Sequence, residues 1–248
     1  MFKKLKERFI KNTILYKSYR ILKSKPFISN SAYGEEILVN RILKSYKKGF
    51  FVDVGAHNPV IGSLTKRLYD KGWSGLNLDF SEPNIKLLKL FRRRDISIQT
   101  GVSDKNGMKE SFSFDPSSGT NTLNKEYAEG WSKNFYKKFE VKKIKCQTLT
   151  KILDHHSVRS DFEYLNIDVE GHDLNVLKGF DLNFYKPKLI TCEIIPEQKK
   201  LWDNKELMYF STLDQVLNSK ICKYLQKHRY KLISHYCLTA FFVSDQLG

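Results

Sequence analysis

The sequence predicts a doubly wound α/β sheet that is mostly parallel and contains a C-terminal antiparallel strand. Short apolar runs without polar alternation, such as FFVDV and YLNIDV, are typical of parallel strands buried on both faces. Helical patterns separate these runs, and alternation of strands with helices indicates a parallel sheet. Near the end of the chain, YKLISHY and LTAFFVS are joined too closely for a helical crossover, so one of them must run antiparallel.

Seven segments form the predicted sheet, with helices between most of them. In chain order the strands are FFVDV, GLNLDF, ISIQTGV, YLNIDV, KLITCEI, YKLISHY and LTAFFVS. The predicted helices are GEEILVNRILKSY, GSLTKRLYDKG, one that starts near Ser81 and Pro83, TLTKILDHH, DLNVLKGF and LDQVLNSKICKYLQKH.

From Asp104 to Lys145 the rhythm loosens, and this stretch predicts an irregular insertion. GMKESFSF is typical of an edge hairpin, and DPSSGTNTLN is a polar loop rich in turn residues. Trp131 and Phe135 in the insertion either stack on a sugar or pack in the core. The run FRRRD, Phe91 to Asp95, either binds an anionic acceptor or ends a solvated helix.

Composition divides the chain into a basic arm and one domain. The formal net charge of the 248 residues is +16, which favours an anionic partner. Residues 1–25 hold seven Lys, two Arg and one Glu, a net +8 and half of that excess. We therefore predict an amphipathic arm over residues 1–26, either solvated or resting on anionic lipid, and a single domain over residues 27–248.

The remaining composition favours a cytoplasmic protein. The four cysteines show no CxxC spacing, which argues against a zinc site or a redox pair. Lysines interrupt the N-terminal apolar residues, so no signal peptide is predicted, and no segment is long and apolar enough to span a bilayer.

Three acidic residues end predicted strands, where a doubly wound sheet binds its ligands. Asp53 follows the first strand, Asp79 the second and Asp168 the fourth. A carboxylate at the position of Asp79 is suited to the two hydroxyls of a ribose.

The turn after the first strand decides between cofactors. A pyrophosphate needs several glycines, but only Gly55 follows the strand directly, and His57, Asn58 and Pro59 fill the turn. S-adenosylmethionine has no phosphate, so one close-approach glycine suffices, and Asp53 would orient its cationic methionine end. The turn therefore predicts a nucleoside ligand without phosphates, as S-adenosylmethionine is.

An ordered set of motifs resembles the FkbM-type S-adenosylmethionine-dependent methyltransferases. The most specific motif is NIDVEGHDLNVLKGF, followed by DVGAHNP with YDKGWSGLNLD. The resemblance runs from about Tyr33 to Val243. It implies a class I methyltransferase sheet and O-methylation, frequently of sugars in surface polysaccharides.

The resemblance also implies roles for individual residues. Those placed around the cofactor are Asp53, Gly55, Ala56 and His57 at the methionine part, Asp79 at the ribose, Phe80 beside the adenine, Ser103 and Asp104 at the adenine rim, and Asp168.

A sugar hydroxyl needs a base or a metal to take its proton. Asp168, Glu170 and His172 in NIDVEGHD are the candidate catalytic residues, with Asp168 or His172 preferred as the base. Glu170 and Asp173 would alternatively only cap the following helix. Asp168, Glu193 and His172 would converge on Mg²⁺ or Mn²⁺ if the enzyme needs a divalent metal, whereas Glu193 would otherwise contact the acceptor.

We expect a sugar O-methyltransferase of glycan assembly at the cytoplasmic face of the membrane, acting on lipid-linked or nucleotide-linked acceptors. An RNA methyltransferase is one alternative, although half of the excess charge lies in one helix and no RNA-binding module is visible. A methyltransferase fold without turnover is the other, and the presence of Asp53, Gly55, Asp79 and Asp168 argues against it.

Overall fold

The fold is described from a computed structural model over residues 29–135, 138–195 and 210–245. The basic arm lies outside these described residues, so the structure does not test its prediction. Within them, no helix is long and apolar enough to cross a membrane. All four cysteines are buried and unpaired.

Helices and strands alternate through most of the domain. The helices are α1 (Glu35–Ile42), α2 (Lys66–Asp70), α3 (Glu82–Phe91), α4 (Lys125–Phe135), α5 (Leu149–His155), α6 (Asp173–Lys178), α7 (Leu213–Asn218) and α8 (Lys220–Lys227). The strands are β1 (Phe50–Val54), β2 (Ser74–Asp79), β3 (Ile96–Gln99), β4 (Gly101–Val102), β5 (Gly107–Ser113), β6 (Glu140–Gln147), β7 (Tyr164–Ile167), β8 (Leu189–Glu193), β9 (Tyr230–Tyr236) and β10 (Thr239–Ser244).

The central sheet has seven strands in the order β3-β2-β1-β7-β8-β10-β9. The first five are parallel, and β10 runs antiparallel to both of its neighbours, β8 and β9. The predicted fold class is therefore confirmed, including the antiparallel strand at the C-terminal end.

Each face of the central sheet is covered by a buried apolar layer. The larger layer includes Val52, Leu76, Leu165 and Ile190, and the other layer includes Phe51 with Trp73. Consecutive residues of β1 thus point into opposite layers, which explains why this strand is apolar without alternation.

The insertion is more regular than the sequence suggests. The predicted strand ISIQTGV is two strands: β3 joins the central sheet, whereas β4 pairs with β6 in a separate sheet of order β4-β6-β5. Strand β6 and helix α4 were not predicted. Three lysines and a glutamate interrupt the apolar pattern between Glu140 and Gln147, because much of this strand is exposed.

The predicted last helix is two helices, because the chain breaks at Ser219. This residue is extended, with φ −62° and ψ 149°, and its hydroxyl accepts a hydrogen bond from the Cys222 amide as the N-cap of α8.

The topology brings the candidate residues to one edge of the sheet. Strand order reverses between β1 and β7, and a doubly wound sheet opens a crevice beyond the strand ends at such a point. Asp79, Asp168 and Glu193 lie at the carboxyl ends of β2, β7 and β8, so this edge is acidic.

Candidate active site

A crevice opens beyond the carboxyl ends of β1, β2 and β7. It is lined by Val54, Gly55, His57, Leu78, Asp79, Phe80, Thr100, Val102, Ser118, Gly119, Asn121, Leu123, Asp168, Val169 and Glu170. Five of the residues predicted for the cofactor lie in this wall: Gly55, His57, Asp79, Phe80 and Asp168.

Gly55 is required by the neighbouring strand as well as by the turn. Its φ is +85°, which residues with a Cβ atom adopt only with strain. A Cβ atom built at this position would stand 1.7 Å from the backbone carbonyl oxygen of Asp168. The glycine therefore lets the turn after β1 lie directly against the end of β7.

Backbone amides hold the carboxylate of Asp79 at the rim of the crevice. The amide of His57 donates to Oδ2 at 2.9 Å and the amide of Ser81 donates to Oδ1 at 2.7 Å. Burial raises the pKa of Asp79, and these two hydrogen bonds act in the opposite direction. A carboxylate oxygen has more than one acceptor direction, so Asp79 can also accept from a ribose.

His57 joins the turn to the long loop of the insertion. Its φ is +43°, and its imidazole Nε2 lies 3.0 Å from the carbonyl oxygen of Ser117. Together with Gly119 of the same loop, the imidazole closes one side of the crevice.

Asp53 and Ala56 lie behind the crevice and do not line it. The carboxylate of Asp53 is buried and accepts from Thr65 Oγ1 at 2.8 Å and from Asn166 Nδ2 at 2.9 Å. Ala56 packs on Ile85. The carboxylate of Asp53 thus ties the turn after β1 to α2 and β7, and its predicted contact with the methionine part stays a prediction.

Ser103, Asp104 and His172 form a separate group. The hydroxyl of Ser103 donates to Asp104 Oδ1 at 2.9 Å and lies 2.8 Å from His172 Nε2. None of the three lines the crevice. Burial lowers the pKa of His172 to about 4, and the imidazole sits at the N-cap position of α6. His172 therefore lies outside the crevice wall that contains Asp168, and its role as an alternative base stays a prediction.

Asp168 stands where the crevice meets a second cavity of about 280 Å³. Burial, followed by the negative charges of Asp53 and Glu35, raises the pKa of Asp168 to about 7. A carboxyl group with this pKa is about half ionised near neutral pH, and its ionised form is basic enough to accept a proton, as general base catalysis requires.

Glu170 is the other acidic residue shared by the crevice and the second cavity. The hydroxyl of Tyr127 donates to its Oε2 atom, and Thr122 Oγ1 donates to its backbone carbonyl at 2.8 Å. Burial and the charge of Asp168 raise the pKa of Glu170. Its carboxylate thus contacts α4 rather than capping α6, so the capping alternative is wrong for Glu170.

The second cavity continues past Asp168 toward β8. Its wall consists of Ala32, Tyr33, Glu35, Gly62, Leu64, Thr120, Tyr127, Trp131, Asp168, Glu170, Glu193, Ile195, Leu238 and Thr239. Trp131 lines this space and also stacks on Phe135, with 4.3 Å between ring centroids. Glu193 thus lines the same space as the candidate base Asp168, and its contact with an acceptor stays a prediction.

The described residues do not fit the alternative metal site. The Nε2 atom of His172 is taken by Ser103, so the imidazole does not join Asp168 and Glu193. Within residues 29–135, 138–195 and 210–245, no group of three or more His, Cys, Asp or Glu side chains is arranged to hold a metal ion.

The sequence did not predict two parts of the structure in and around the crevice. The loop residues Ser118, Gly119, Asn121 and Leu123 line the crevice, and their polar, glycine-containing run was the available signal. The other part is Arg92. It is buried rather than solvated, and it donates to the Pro59 carbonyl at 2.8 Å and to Ser63 Oγ at 2.9 Å.

The crevice suits a nucleoside that carries a sulfonium and no phosphate. Carboxylates of Asp79, Asp168 and Glu170 occur in its wall, and no lysine or arginine of the described chain lines it. Negative side chains repel a pyrophosphate but favour a sulfonium and an ammonium. Phe80 lines the crevice beside Asp79, the residue predicted to hold a ribose.

No curated protein matches the chain. One similar solved structure is a TehB-like SAM-dependent methyltransferase from Corynebacterium glutamicum, with a TM-score of 0.43 and 8% identity over 93% of this chain and 95% of that chain. Another is a precorrin-6y C5,15-methyltransferase from Geobacter metallireducens, with a TM-score of 0.42 and 12% identity over 89% of this chain and 92% of that chain. The family model of the methyltransferase FkbM domain matches residues 53–232, which is well over half of the chain. The chain belongs to the FkbM methyltransferase family.

Proposed function

We propose that this protein transfers the methyl group of S-adenosylmethionine to a sugar hydroxyl during the assembly of a surface glycan. One observation carries the proposal: the carboxylate of Asp168 stands at the junction of the cofactor crevice and the second cavity, with a pKa raised by burial to about 7. A methyl acceptor in the second cavity would meet the cofactor at this junction.

The protein supplies the alignment of cofactor and acceptor, a site that excludes water, and a proton acceptor. When bound, S-adenosylmethionine supplies an electrophilic methyl group, which the acceptor oxygen takes in line as the carbon–sulfur bond breaks. Asp168 takes the proton of the hydroxyl as the new carbon–oxygen bond forms. Tyr127 holds Glu170 in place on the other side of the junction.

The acceptor is a sugar because the second cavity combines the two surfaces that sugars need. Carboxylates such as Glu193 accept hydrogen bonds from hydroxyl groups, and the ring of Trp131 offers an apolar face to the C–H side of a sugar.

The basic arm places the enzyme at the membrane in this proposal. Its +8 charge and apolar stripe suit an amphipathic helix on the anionic cytoplasmic face, close to lipid-linked or nucleotide-linked acceptors. The full chain should bind anionic vesicles in preference to RNA and neutral vesicles, and removal of residues 1–25 should abolish that binding. A preference for RNA would favour the RNA methyltransferase instead.

The decisive experiment compares the surface glycan of cells that have or lack this protein by mass spectrometry. Loss of the gene should remove one methyl group per repeating unit. The wild-type gene should restore it, and the Asp168→Asn variant should not. An unchanged glycan together with an undermethylated RNA would overturn the proposal.

A further inference from the structure

The second cavity is strongly acidic, and this limits what it can bind. Four carboxylates line it: Glu35, Asp168, Glu170 and Glu193. No lysine, arginine or histidine of the described chain shares its wall. An unpaired carboxylate in a partly dry site is costly, so either protons or a cationic ligand must compensate for the charge.

Two of these carboxylates belong to the reaction and two do not. Asp168 and Glu170 also line the cofactor crevice, where a sulfonium would balance their charge. Glu35 and Glu193 line the second cavity but not the cofactor crevice. Their charge therefore faces the acceptor.

Glu193 provides the independent sign of a missing ligand. Its Oε2 atom is buried and has no hydrogen-bond partner among the described residues. Buried acceptor atoms nearly always have a partner in native proteins, so an orphaned carboxylate oxygen in a cavity wall points to a donor on the ligand. Burial and the charges of Asp168, Glu170 and Asp173 raise its pKa, so without a ligand this carboxyl tends to hold a proton, which a cationic group would displace.

Aromatic side chains complete the environment of a cation. Tyr33 and Trp131 line the same cavity, and ammonium groups are attracted to the faces of such rings. A neutral sugar would use the hydrogen bonds but leave the charge uncompensated. An acidic sugar would add a further negative charge.

From this arrangement we propose that the second cavity is the acceptor subsite and that it takes a sugar ring bearing a protonated amine, which Glu193 and Glu35 bind. This inference rests on the proposed function, because the ring must present its hydroxyl at Asp168. Any phosphate of a carrier would lie outside the cavity, toward solvent.

The test uses the full-length protein saturated with S-adenosylhomocysteine and three probes of one size class. Glucosamine carries the cation, N-acetylglucosamine is its neutral counterpart, and glucuronic acid is anionic. By titration calorimetry, glucosamine should bind at least about tenfold more tightly than either of the others, as expected when a buried charge is paired.

Matched variants locate the effect. Glu193→Gln keeps the shape of the side chain and should weaken glucosamine binding by about tenfold or more without changing that of N-acetylglucosamine. Glu129→Gln removes an exposed carboxylate of α4 that pairs with Lys125 and should change neither. Because both variants are tested for S-adenosylhomocysteine affinity, a folding defect would be recognised.

Several results would overturn the inference. These are equal affinities for glucosamine and N-acetylglucosamine, preference for glucuronic acid, no binding of any probe, or saturable Mg²⁺ binding that Glu193→Gln abolishes. In each case intact S-adenosylhomocysteine binding would leave the proposed methyl transfer standing. Loss of that binding in the wild-type protein would instead defeat the proposed function itself.

Discussion

The backbone carbonyl oxygen of Asp168 lies 1.7 Å from the point that a Cβ atom at Gly55 would occupy. The amide of Asp168 in turn donates to the Val54 carbonyl at 2.9 Å, so the turn after β1 and the end of β7 are locked together by backbone atoms. This junction fixes the floor of the crevice and the position of the candidate base at once.

Replacing Gly55 with Ala should therefore damage the fold and the cofactor site together. The new methyl group meets a backbone oxygen that cannot rotate away, and the residue must keep a positive φ. We expect a loss of at least about 3 kcal/mol in the free energy of unfolding in urea and no measurable binding of S-adenosylhomocysteine.

Gly72→Ala is the matched control for this change. Gly72 also has a positive φ, +90°, but nothing lies within 4 Å of its added Cβ atom. It should lose only about 1 kcal/mol, the backbone cost alone, and keep its cofactor affinity. Equal losses at both positions would show that the contact with Asp168 is unimportant.

Asp79→Ala should weaken S-adenosylhomocysteine binding by about 1–3 kcal/mol, because hydrogen bonds from a ribose to a charged acceptor are lost. The carboxylate also accepts from the amides of His57 and Ser81, so the variant leaves two partly buried donors without this partner. Asp79→Asn keeps an oxygen for one of them and separates the two effects. Calorimetry with unchanged affinity in both variants would place the ribose elsewhere.

The sequence predicted the sheet and part of the site. The rest was not predictable from the sequence for a physical reason. Strand ends are visible as apolar runs followed by an acid, so Asp79 and Asp168 were found. The same rule places Asp53 at a strand end, but the direction of its carboxylate depends on Thr65 and Asn166. Those partners belong to other segments, and no local pattern reports their approach.

The second cavity shows the same limit more strongly. Glu35 is the first residue of α1 and precedes Asp168 by about 130 positions, yet both carboxylates line the second cavity. Its spacing from Glu36 and Val39 indicates only a helix. Convergence of this kind follows from the sheet order, which brings β7 and β8 together beside the first helix, and not from any motif.

Arg92→Lys should destabilise the turn that carries Gly55 and Ser63. The guanidinium donates from Nε to Pro59 and from Nη2 to Ser63, and a lysine cannot make both bonds from a buried position. We expect a loss of about 2–4 kcal/mol in the free energy of unfolding, with weaker S-adenosylhomocysteine binding.

The neighbouring Arg93 is exposed and provides the control. Arg93→Lys should leave stability within about 0.5 kcal/mol of the wild-type value. If both variants behaved alike, the run of arginines would be no more than a charged helix end.

The role of Asp168 as a base predicts a pH profile with a definite sign. Its carboxylate must be ionised to accept a proton, and its pKa is raised to about 7 by burial and by the nearby charges. Methyl transfer measured as kcat/KM should therefore rise with pH through neutrality and level off above it. Asp168→Asn should lose at least about a hundredfold in turnover and show no such rise, while binding S-adenosylhomocysteine almost normally. Equal losses in turnover and affinity would assign it a structural role.

The acidic cavity should also lower the free energy of unfolding, and the loss should grow as the pH rises. Burial raises the pKa of Glu193 above its ordinary value of 4.5, so the native state retains a proton that the unfolded chain releases. The contribution of this group to stability therefore falls as pH rises above that value.

Glu193→Gln cannot ionise, so its advantage over the wild type in the free energy of unfolding should grow with pH, by at most about 1.4 kcal/mol per pH unit. Urea unfolding between about pH 5 and pH 8 measures this slope. Glu140→Gln should give almost no slope over this range, because a hydrogen bond from Lys142 lowers the pKa of that exposed carboxyl and it is ionised above about pH 5 in both states. A Glu193→Gln advantage that stays constant with pH would mean that the carboxylate is already compensated, and the acceptor would then need no positive charge.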